Sequence, residues 1–203
     1  MYKEILSKEQ VELLEVLKIF STDFGLVGGT AIALQIGHRE SIDFDLFSIK
    51  EFDNNAIKRK IEKIVKIDRV IVNKKLEYTF LINSVKFTFY QYPFELKYNK
   101  NIDNIIKMPD LITLSAMKAY ALGKRAKWKD YVDLYFIIKD FHSLEEIIEK
   151  TKEIFGAEFN DNMFISQLSY FDDLNYTEEL VYKKGFEVDD EKIKKALIDF
   201  SLN

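Results

Sequence analysis

Apolar residues recur at helical spacing near the start of the chain. Ser7 and Gln10 have the spacing of a helix capping box, in which each side chain bonds the backbone of the other residue. The apolar positions that follow are Leu13, Leu14, Leu17 and Phe20. This pattern predicts a first helix over about residues 8–20. A second apolar run, residues 30–36, predicts a buried helix that ends at Gly37.

Short apolar runs between residues 26 and 92 predict β-strands. The predicted strands cover residues 26–27, 42–47, 69–73, 76–82 and 85–92. The last two are separated by Asn83 and Ser84, which suit the two-residue turn of a hairpin. Asp53 is a candidate cap for a helix over residues 54–66, between the second and third strands.

From Pro109 onward the apolar positions follow helical periods only. The predicted helices cover about residues 110–122, 128–140, 144–155, 160–170, 177–184 and 190–201. Ser143 and Glu146 repeat the capping-box spacing before the third of these helices. We therefore predict an α+β protein with a strand-rich part, residues 1–105, and an all-helical part, residues 106–203. Because no linker-like segment separates them, we expect the two parts to pack together around a cleft.

Composition narrows the class of protein. The chain has 203 residues, no cysteine and two histidines, which excludes disulfides and thiolate metal sites and argues against a zinc site. Its formal net charge of −4 argues against unspecific nucleic-acid binding. One predicted helix nevertheless carries a cluster of basic residues, namely Lys58, Arg59, Lys60, Lys63 and Lys66. No membrane-span-like run or signal-peptide core is present, so we expect a cytoplasmic protein without membrane association.

Two carboxylates and two glycines between residues 28 and 45 suggest chemistry. Asp43 and Asp45 alternate with apolar residues, so both side chains face the same way on a strand. Such a pair repels itself unless a cation intervenes, and Mg²⁺ takes one or two carboxylates together with substrate phosphates. Gly28 and Gly29 precede a predicted helix, where backbone N–H groups and the Thr30 hydroxyl can approach a phosphate. A glycine pair alone is most often a plain turn, and an Asp-x-Asp pair alone is often a solvated strand edge. The two motifs together, in this order, are more specific.

A second group of charged residues lies in the helical part. Lys118 and Arg125 are seven positions apart and therefore share one helical face. Lys129, Asp130 and Asp133 open the next predicted helix, with the two aspartates three positions apart. Aspartates also suit a helix N-terminus, and a run of lysines also suits a solvated surface, so this pattern alone leaves both interpretations open.

The two groups together resemble a known family. Val27-Gly28-Gly29, a spacer and Asp43-Phe44-Asp45-Leu46 resemble the signature of the nucleotidyltransferase superfamily related to DNA polymerase β. More narrowly, GGTAIALQIGHRESIDFDLF (28–47) and AMKAYALGKRAKWKDYVDLYFI (116–137) resemble the AbiEii/AbiGii toxin family of bacterial toxin–antitoxin and phage-defence systems. The segment SQLSYFDDL (166–174) resembles one branch of that family.

The resemblance implies a nucleotidyltransferase-type mixed β-sheet with flanking helices, and a site for an NTP with Mg²⁺ or Mn²⁺. Asp43 and Asp45 are the implied metal ligands and, with Lys118 and Asp130, the implied catalytic residues. The implied nucleotide-binding residues are Gly28, Gly29, Thr30, Arg39, Ser41, Lys118, Arg125 and Lys129.

One position departs from the superfamily pattern. Catalytic members usually carry a third carboxylate on a later strand, which here corresponds to residues 85–92 and contains no acid. Lys86 or Thr88 takes its place. The nearest alternative acids are Glu77, Glu95 and, from the helical part, Asp130.

The resemblance implies a toxin that transfers an NMP from an NTP to an acceptor hydroxyl, with the 3′ end of a tRNA as the expected acceptor and a protein hydroxyl as the alternative. A cognate antitoxin is the expected partner, and the oligomeric state stays open. The missing acid keeps a second hypothesis open, a non-catalytic nucleotide-binding or protein-interaction module on the same fold. A third is a phosphotransferase that uses the same residues for attack at the γ-phosphate.

Overall fold

The chain divides into two compact units, residues 1–110 and Leu111 onward. The computed structural model describes residues 1–122 and 124–202. The first unit contains, in chain order, α1 (Lys8–Glu12), α2 (Leu14–Ile19), β1 (Gly25–Val27), α3 (Gly28–Ile36), β2 (Phe44–Ser48), α4 (Asn54–Ile61), β3 (Arg69–Lys74), β4 (Glu77–Ile82), β5 (Val85–Gln91), β6 (Lys100–Ile102) and β7 (Ile106–Met108). The second contains α5 (Leu111–Leu122), α6 (Trp128–Asp140), α7 (Leu144–Phe155), α8 (Asp161–Leu168) and α9 (Asp190–Leu202).

The main sheet of the first unit has five strands in the order β1-β2-β5-β4-β3. β2 and β5 are parallel, and the other neighbours are antiparallel, so the sheet is mixed. β6 and β7 form a separate two-stranded sheet. The predicted α+β class, with a mixed sheet followed by helices, is confirmed.

The two faces of the sheet differ in polarity because side chains alternate along each strand. One face is a core of residues that are at most 2% exposed, including Phe44, Leu46, Tyr78, Phe80, Phe87 and Phe89. Phe20 and Phe24, at and after the end of α2, contact Phe89 edge-on with ring centroids 4.8 and 5.0 Å away. The aspartates of interest therefore lie on the opposite face.

Three predicted elements of the first unit need correction. The helix predicted over residues 8–20 is divided at Leu13, whose φ and ψ of −95° and 2° leave the helical region. The strand predicted from Ile42 begins at Phe44, and Ile42 is 53% exposed. The helix predicted over residues 54–66 ends at Ile61, since Ile64, which a continued apolar stripe would bury, is 56% exposed. The β6–β7 pair was not predicted.

The helical unit follows the prediction except over residues 177–184, which form no helix. The preceding segment runs alongside the start of α6, where the Asn175 N–H donates to the Ala126 carbonyl at 2.8 Å and the Trp128 N–H donates to the Asn175 carbonyl at 3.1 Å. The Asn175 side chain then accepts from the Thr177 N–H at 2.8 Å. These bonds hold residues 175–177 in a non-helical path, and residues 177–184 after them form no helix, so the prediction of a helix there was wrong. Across the described residues, no helix is both long and apolar enough to cross a bilayer.

Candidate active site

Two aspartates lie together at the start of β2, beside β5. Asp43 immediately precedes the strand, and Asp45 is its second residue. The parallel register pairs Asp45 with Thr88 and Phe44 with Phe87, which brings Lys86 next to Asp43. The Lys86 ammonium is 2.5 Å from the Asp43 carboxylate, with the two side chains 35% and 30% exposed. This ion pair was not predicted, although Lys86 is one of two residues at the place of the missing acid.

The glycine turn lies directly against Asp45. Gly28 has φ +73°, in the left-handed region that favours glycine. A Cβ at Gly28 would come within 2.3 Å of the Asp45 carboxylate oxygen Oδ2. Helix α3 begins at Gly28, and its N-cap residue Val27 provides no side-chain hydrogen bond. The positive end of a nine-residue helix and a carboxylate thus meet at one point.

Arg39 and Ser41 lie behind the second glycine. A Cβ at Gly29 would be 2.6 Å from Arg39 Nη2 and 3.2 Å from Ser41 Oγ. Arg39 is only 2% exposed, and its Nη1 donates to the Glu40 carbonyl at 2.9 Å. The guanidinium therefore places a buried positive charge behind the turn. A direct contact of Arg39 with a nucleotide stays a prediction.

Buried hydrogen bonds hold the segment that leads to Asp43. The Thr30 hydroxyl bonds the Ser41 hydroxyl at 3.0 Å and also donates to the Asp43 carbonyl. The Gln10 side chain donates from Nε2 to the Ser41 carbonyl at 2.8 Å. Both hydroxyls are thus engaged within the protein, and they position the aspartates. Phosphate binding by Thr30 and Ser41 stays a prediction.

The donor set at this place suits a single divalent cation. Asp43 and Asp45 offer hard carboxylate oxygens on one face, and Mg²⁺ can complete its shell with phosphate oxygens and water. Among the described residues, no group of three or more acidic, histidine or cysteine side chains is arranged to hold a metal. Glu77 on β4 lies opposite Tyr90 of β5, which in turn lies opposite Phe47 of β2. Glu77 is therefore not directly across the sheet from either aspartate.

The second group of charged residues forms a buried cluster between α5 and α6. The Lys118 ammonium bonds the Asp130 carboxylate and lies 2.9 Å from the Asp133 carboxylate. Their side chains are 8%, 3% and 0% exposed, in that order. Arg125, which is 51% exposed, donates from Nε to the other oxygen of Asp130 at 3.0 Å. A desolvated lysine requires an anion, and here the two aspartates of α6 provide it.

The pKa of Asp130 reflects this environment. Burial raises the pKa of its carboxyl, but the positive charges of Lys118 and Arg125 and the hydrogen bond from Lys118 outweigh that effect, so that the pKa lies below its ordinary value. Asp130 is therefore held as a carboxylate. Asp133 is the second anion of the cluster. Its spacing of three positions from Asp130 predicted that the two side chains share one face of the helix.

Lys129 lies apart from this cluster. Its ammonium is 3.8 Å from Glu178, and the neighbouring Lys127 also pairs with Glu178. The segment SQLSYFDDL (166–174) contributes to the surroundings of α6: the Gln167 amide donates to the Tyr131 hydroxyl at 2.8 Å. Burial raises the pKa of Tyr131 to about 12.

The structure thus collects the candidate residues in two groups. In the first unit these are Gly28, Gly29, Thr30, Arg39, Ser41, Asp43 and Asp45. In the second unit these are Lys118, Arg125 and Asp130. The positioning residue Gln10 was missed, and its only signal in the sequence was the capping box that it shares with Ser7.

The chain is similar to several known proteins. A protein of Aquifex aeolicus strain VF5, described as uncharacterised, is 36% identical over 180 residues, or 83% of this chain and 84% of its own. The solved structure of MenT4, a nucleotidyltransferase toxin from Mycobacterium tuberculosis H37Rv, shares the fold with a TM-score of 0.58 at 12% identity, over 95% of this chain and 82% of its own. JHP933 from Helicobacter pylori gives 0.57 at 15% identity, over 97% and 92%.

A mixed sheet with a glycine turn and an Asp-x-Asp strand, followed by helices, defines a protein of the nucleotidyltransferase fold. Residues 13–200 match the AbiEii family, described as the nucleotidyl transferase AbiEii toxin of type IV toxin–antitoxin systems. The chain belongs to this family, as its sequence motifs predicted.

Proposed function

We propose that the protein transfers a nucleoside monophosphate from an NTP to an acceptor hydroxyl, with Asp43 and Asp45 holding Mg²⁺ or Mn²⁺. The observation that carries this proposal is the contact between Asp45 and the Gly28 turn at the start of α3. A cation on the carboxylates and a phosphate at the helix N-terminus would be neighbours, as in a metal–triphosphate complex.

In the proposed reaction the oxygen of the acceptor hydroxyl attacks the α-phosphorus and its proton passes to water. The bond from that phosphorus to the oxygen bridging to the β-phosphate breaks, and pyrophosphate leaves. The backbone N–H groups of Gly28 and Gly29 bind the β- and γ-phosphates, and the buried Arg39 charge favours these anions from behind. A divalent cation on the aspartates would neutralise charge on the phosphates. Because such transfers depend on positioning and electrostatics, no residue needs to form a covalent bond.

For the second unit we propose a supporting role in the same reaction. Arg125 is 51% exposed on its side chain, so it can contact a ligand while it bonds Asp130. The Lys118 ammonium contacts two carboxylates. We therefore propose that its first role is to hold this cluster together and that phosphate binding is secondary. Catalytic contributions of Lys118 and Asp130, and nucleotide binding by Lys129, stay predictions.

The proposed acceptor is the 3′ end of a tRNA, and the proposed partner is a cognate antitoxin, in keeping with the toxin–antitoxin family. The basic residues around α4 support a nucleic-acid contact, since Lys58 and Arg59 keep 48% and 70% of their side chains exposed. Each also lies within 4 Å of an acid, Glu62 or Asp53, which fits a solvated surface equally well. The location we propose is the cytoplasm, where the proposed NTP and tRNA substrates are found.

A label-transfer assay tests the proposal. The protein is incubated with bulk tRNA, Mg²⁺ and NTPs that carry ³²P at either the α- or the γ-phosphate. Label from the α-position on the tRNA, absent with Asp45→Asn, supports nucleotidyl transfer. Label from the γ-position would show a phosphotransferase instead, and bound NTP without any transfer would show a non-catalytic module.

A further inference from the structure

We propose that the positive charge of Lys86 takes the place of a second metal ion, so that the site binds one divalent cation together with its nucleotide. Lys86 is here a positioning and charge-neutralising residue that acts through Asp43. This inference rests on the proposed function and adds the metal stoichiometry and the residue that determines it.

The first argument is geometric. β2 and β5 run parallel, and the Phe44–Phe87 pair places Asp43 and Lys86 side by side on the polar face. The Lys86 ammonium reaches one oxygen of Asp43, Oδ2, at 2.5 Å. Both side chains keep about a third of their surface exposed, so a ligand can reach this ion pair.

The second argument concerns the neighbouring positions. The residues that continue the rows of the two aspartates across β5 and β4 are Lys86, Thr88, Thr79 and Leu81. None of these can give a carboxylate oxygen to a second divalent cation. Within the described part of the chain, no third acid joins the pair in a metal-binding arrangement.

The third argument is a count of charge. On the polar strand face, two carboxylates and the Lys86 ammonium sum to one negative charge, and the buried Arg39 behind the glycine turn adds a positive charge. A single divalent cation then makes the site positive toward a triphosphate. The Lys86 ammonium lies 2.5 Å from the Asp43 carboxylate. A second divalent cation at Asp43 would therefore lie close to this ammonium, and the two positive charges would repel each other. Lysine is suited to this place because its ammonium is a compact charge with several hydrogen-bond donors.

Counting bound metal tests the inference without relying on turnover. Mn²⁺ is titrated into the protein with a non-hydrolysable NTP analogue, and free Mn²⁺ is measured by electron paramagnetic resonance. We expect one Mn²⁺ per nucleotide-bound wild-type chain and two for Lys86→Asp, which supplies a third carboxylate. Lys97→Asp, an exposed position with the same change of charge, is the matched control and should bind one.

Two Mn²⁺ in the wild type, or no additional Mn²⁺ in folded Lys86→Asp, would overturn the inference. No Mn²⁺ binding by the wild type would refute the proposed function on which it rests.

Lys86→Met provides a second measurement if Lys86→Asp does not fold. Without the lysine ammonium, Asp43 should bind Mn²⁺ about tenfold more tightly in the absence of nucleotide, since a competing cation is gone. Transfer to the acceptor should at the same time be slower. A merely structural lysine would weaken both properties together, and that outcome would contradict the proposed role.

Discussion

Each unit of the protein pairs a lysine with an aspartate beside a second aspartate, yet the two clusters differ in burial. In the first unit the side chains of Lys86 and Asp43 are 35% and 30% exposed. In the second, those of Lys118, Asp130 and Asp133 are 8%, 3% and 0% exposed. The residue types are the same, but their access to water and to ligands is not.

This difference in burial implies different roles for the two clusters, ligand binding for the exposed one and structural support for the buried one. An ion pair open to solvent contributes little to stability, so its members can exchange partners with a metal or a phosphate. A desolvated cluster is costly to break, because any group that loses its partner is left charged in a poorly polarisable interior. We therefore propose ligand binding first for the Asp43–Asp45 region, whereas the Lys118 cluster primarily joins α5 to α6.

Removal of the buried lysine should have the largest effect on stability. Lys118→Met leaves Asp130 and Asp133 facing each other without the ammonium that both contact, so we expect the free energy of unfolding in urea to fall by about 3–5 kcal/mol. Lys86→Met, the equivalent change in the exposed cluster, should cost at most about 1 kcal/mol. Similar losses of unfolding free energy in both variants would show that burial does not give the two clusters different roles in stability.

A substitution at the glycine turn should have an intermediate effect. Gly28→Ala forces alanine into a left-handed conformation, which costs about 1–2 kcal/mol, and also places its Cβ against Asp45. We expect the stabilisation by Mg²⁺–NTP in a thermal-shift assay to disappear. Gly185→Ala is the matched control, since Gly185 has φ +93° and an added Cβ there would meet no heavy atom within 4 Å. It should lose only the stability that the left-handed conformation costs and keep the response to nucleotide.

The buried cluster should also make the stability of the fold depend on pH in acid solution. This is the smallest effect that we expect. Asp130 has a lowered pKa in the folded protein, so it stabilises the fold above its unfolded-state pKa of about 3.9. That contribution is lost as the pH falls through the lower, folded-state pKa. Urea unfolding of the wild type below pH 4 should therefore depend on pH more steeply than that of Asp130→Asn. Equal slopes would show that Asp130 is not the group responsible.

Local features of the fold were predictable from the sequence. Both capping boxes form, at Ser7–Gln10 and at Ser143–Glu146. Gly37 ends α3 in a left-handed conformation, and Asn83 and Ser84 make the hairpin turn with positive φ values. These features depend on residues within about four positions of one another, and so the pattern of the sequence is sufficient to predict them.

Features that depend on distant contacts were not predictable in the same way. The Lys86–Asp43 ion pair joins residues 43 positions apart, and the Gln10–Ser41 bond joins residues 31 positions apart. The path near Asn175 likewise depends on bonds to Ala126 and Trp128, which override any helical pattern that follows. The candidate site was predicted through its glycines and aspartates, whereas the residues that position and neutralise them required the sheet register.

Thermal stabilisation by Mg²⁺–NTP in two aspartate variants tests whether the aspartates at β2 bind the nucleotide. The wild type should gain stability on adding the complex, because binding favours the folded state by mass action. Asp45→Asn should gain nothing from the complex, whereas Asp133→Asn should unfold at a lower temperature than the wild type and still respond. A wild-type response in Asp45→Asn would contradict the assignment of nucleotide binding to the aspartates at β2.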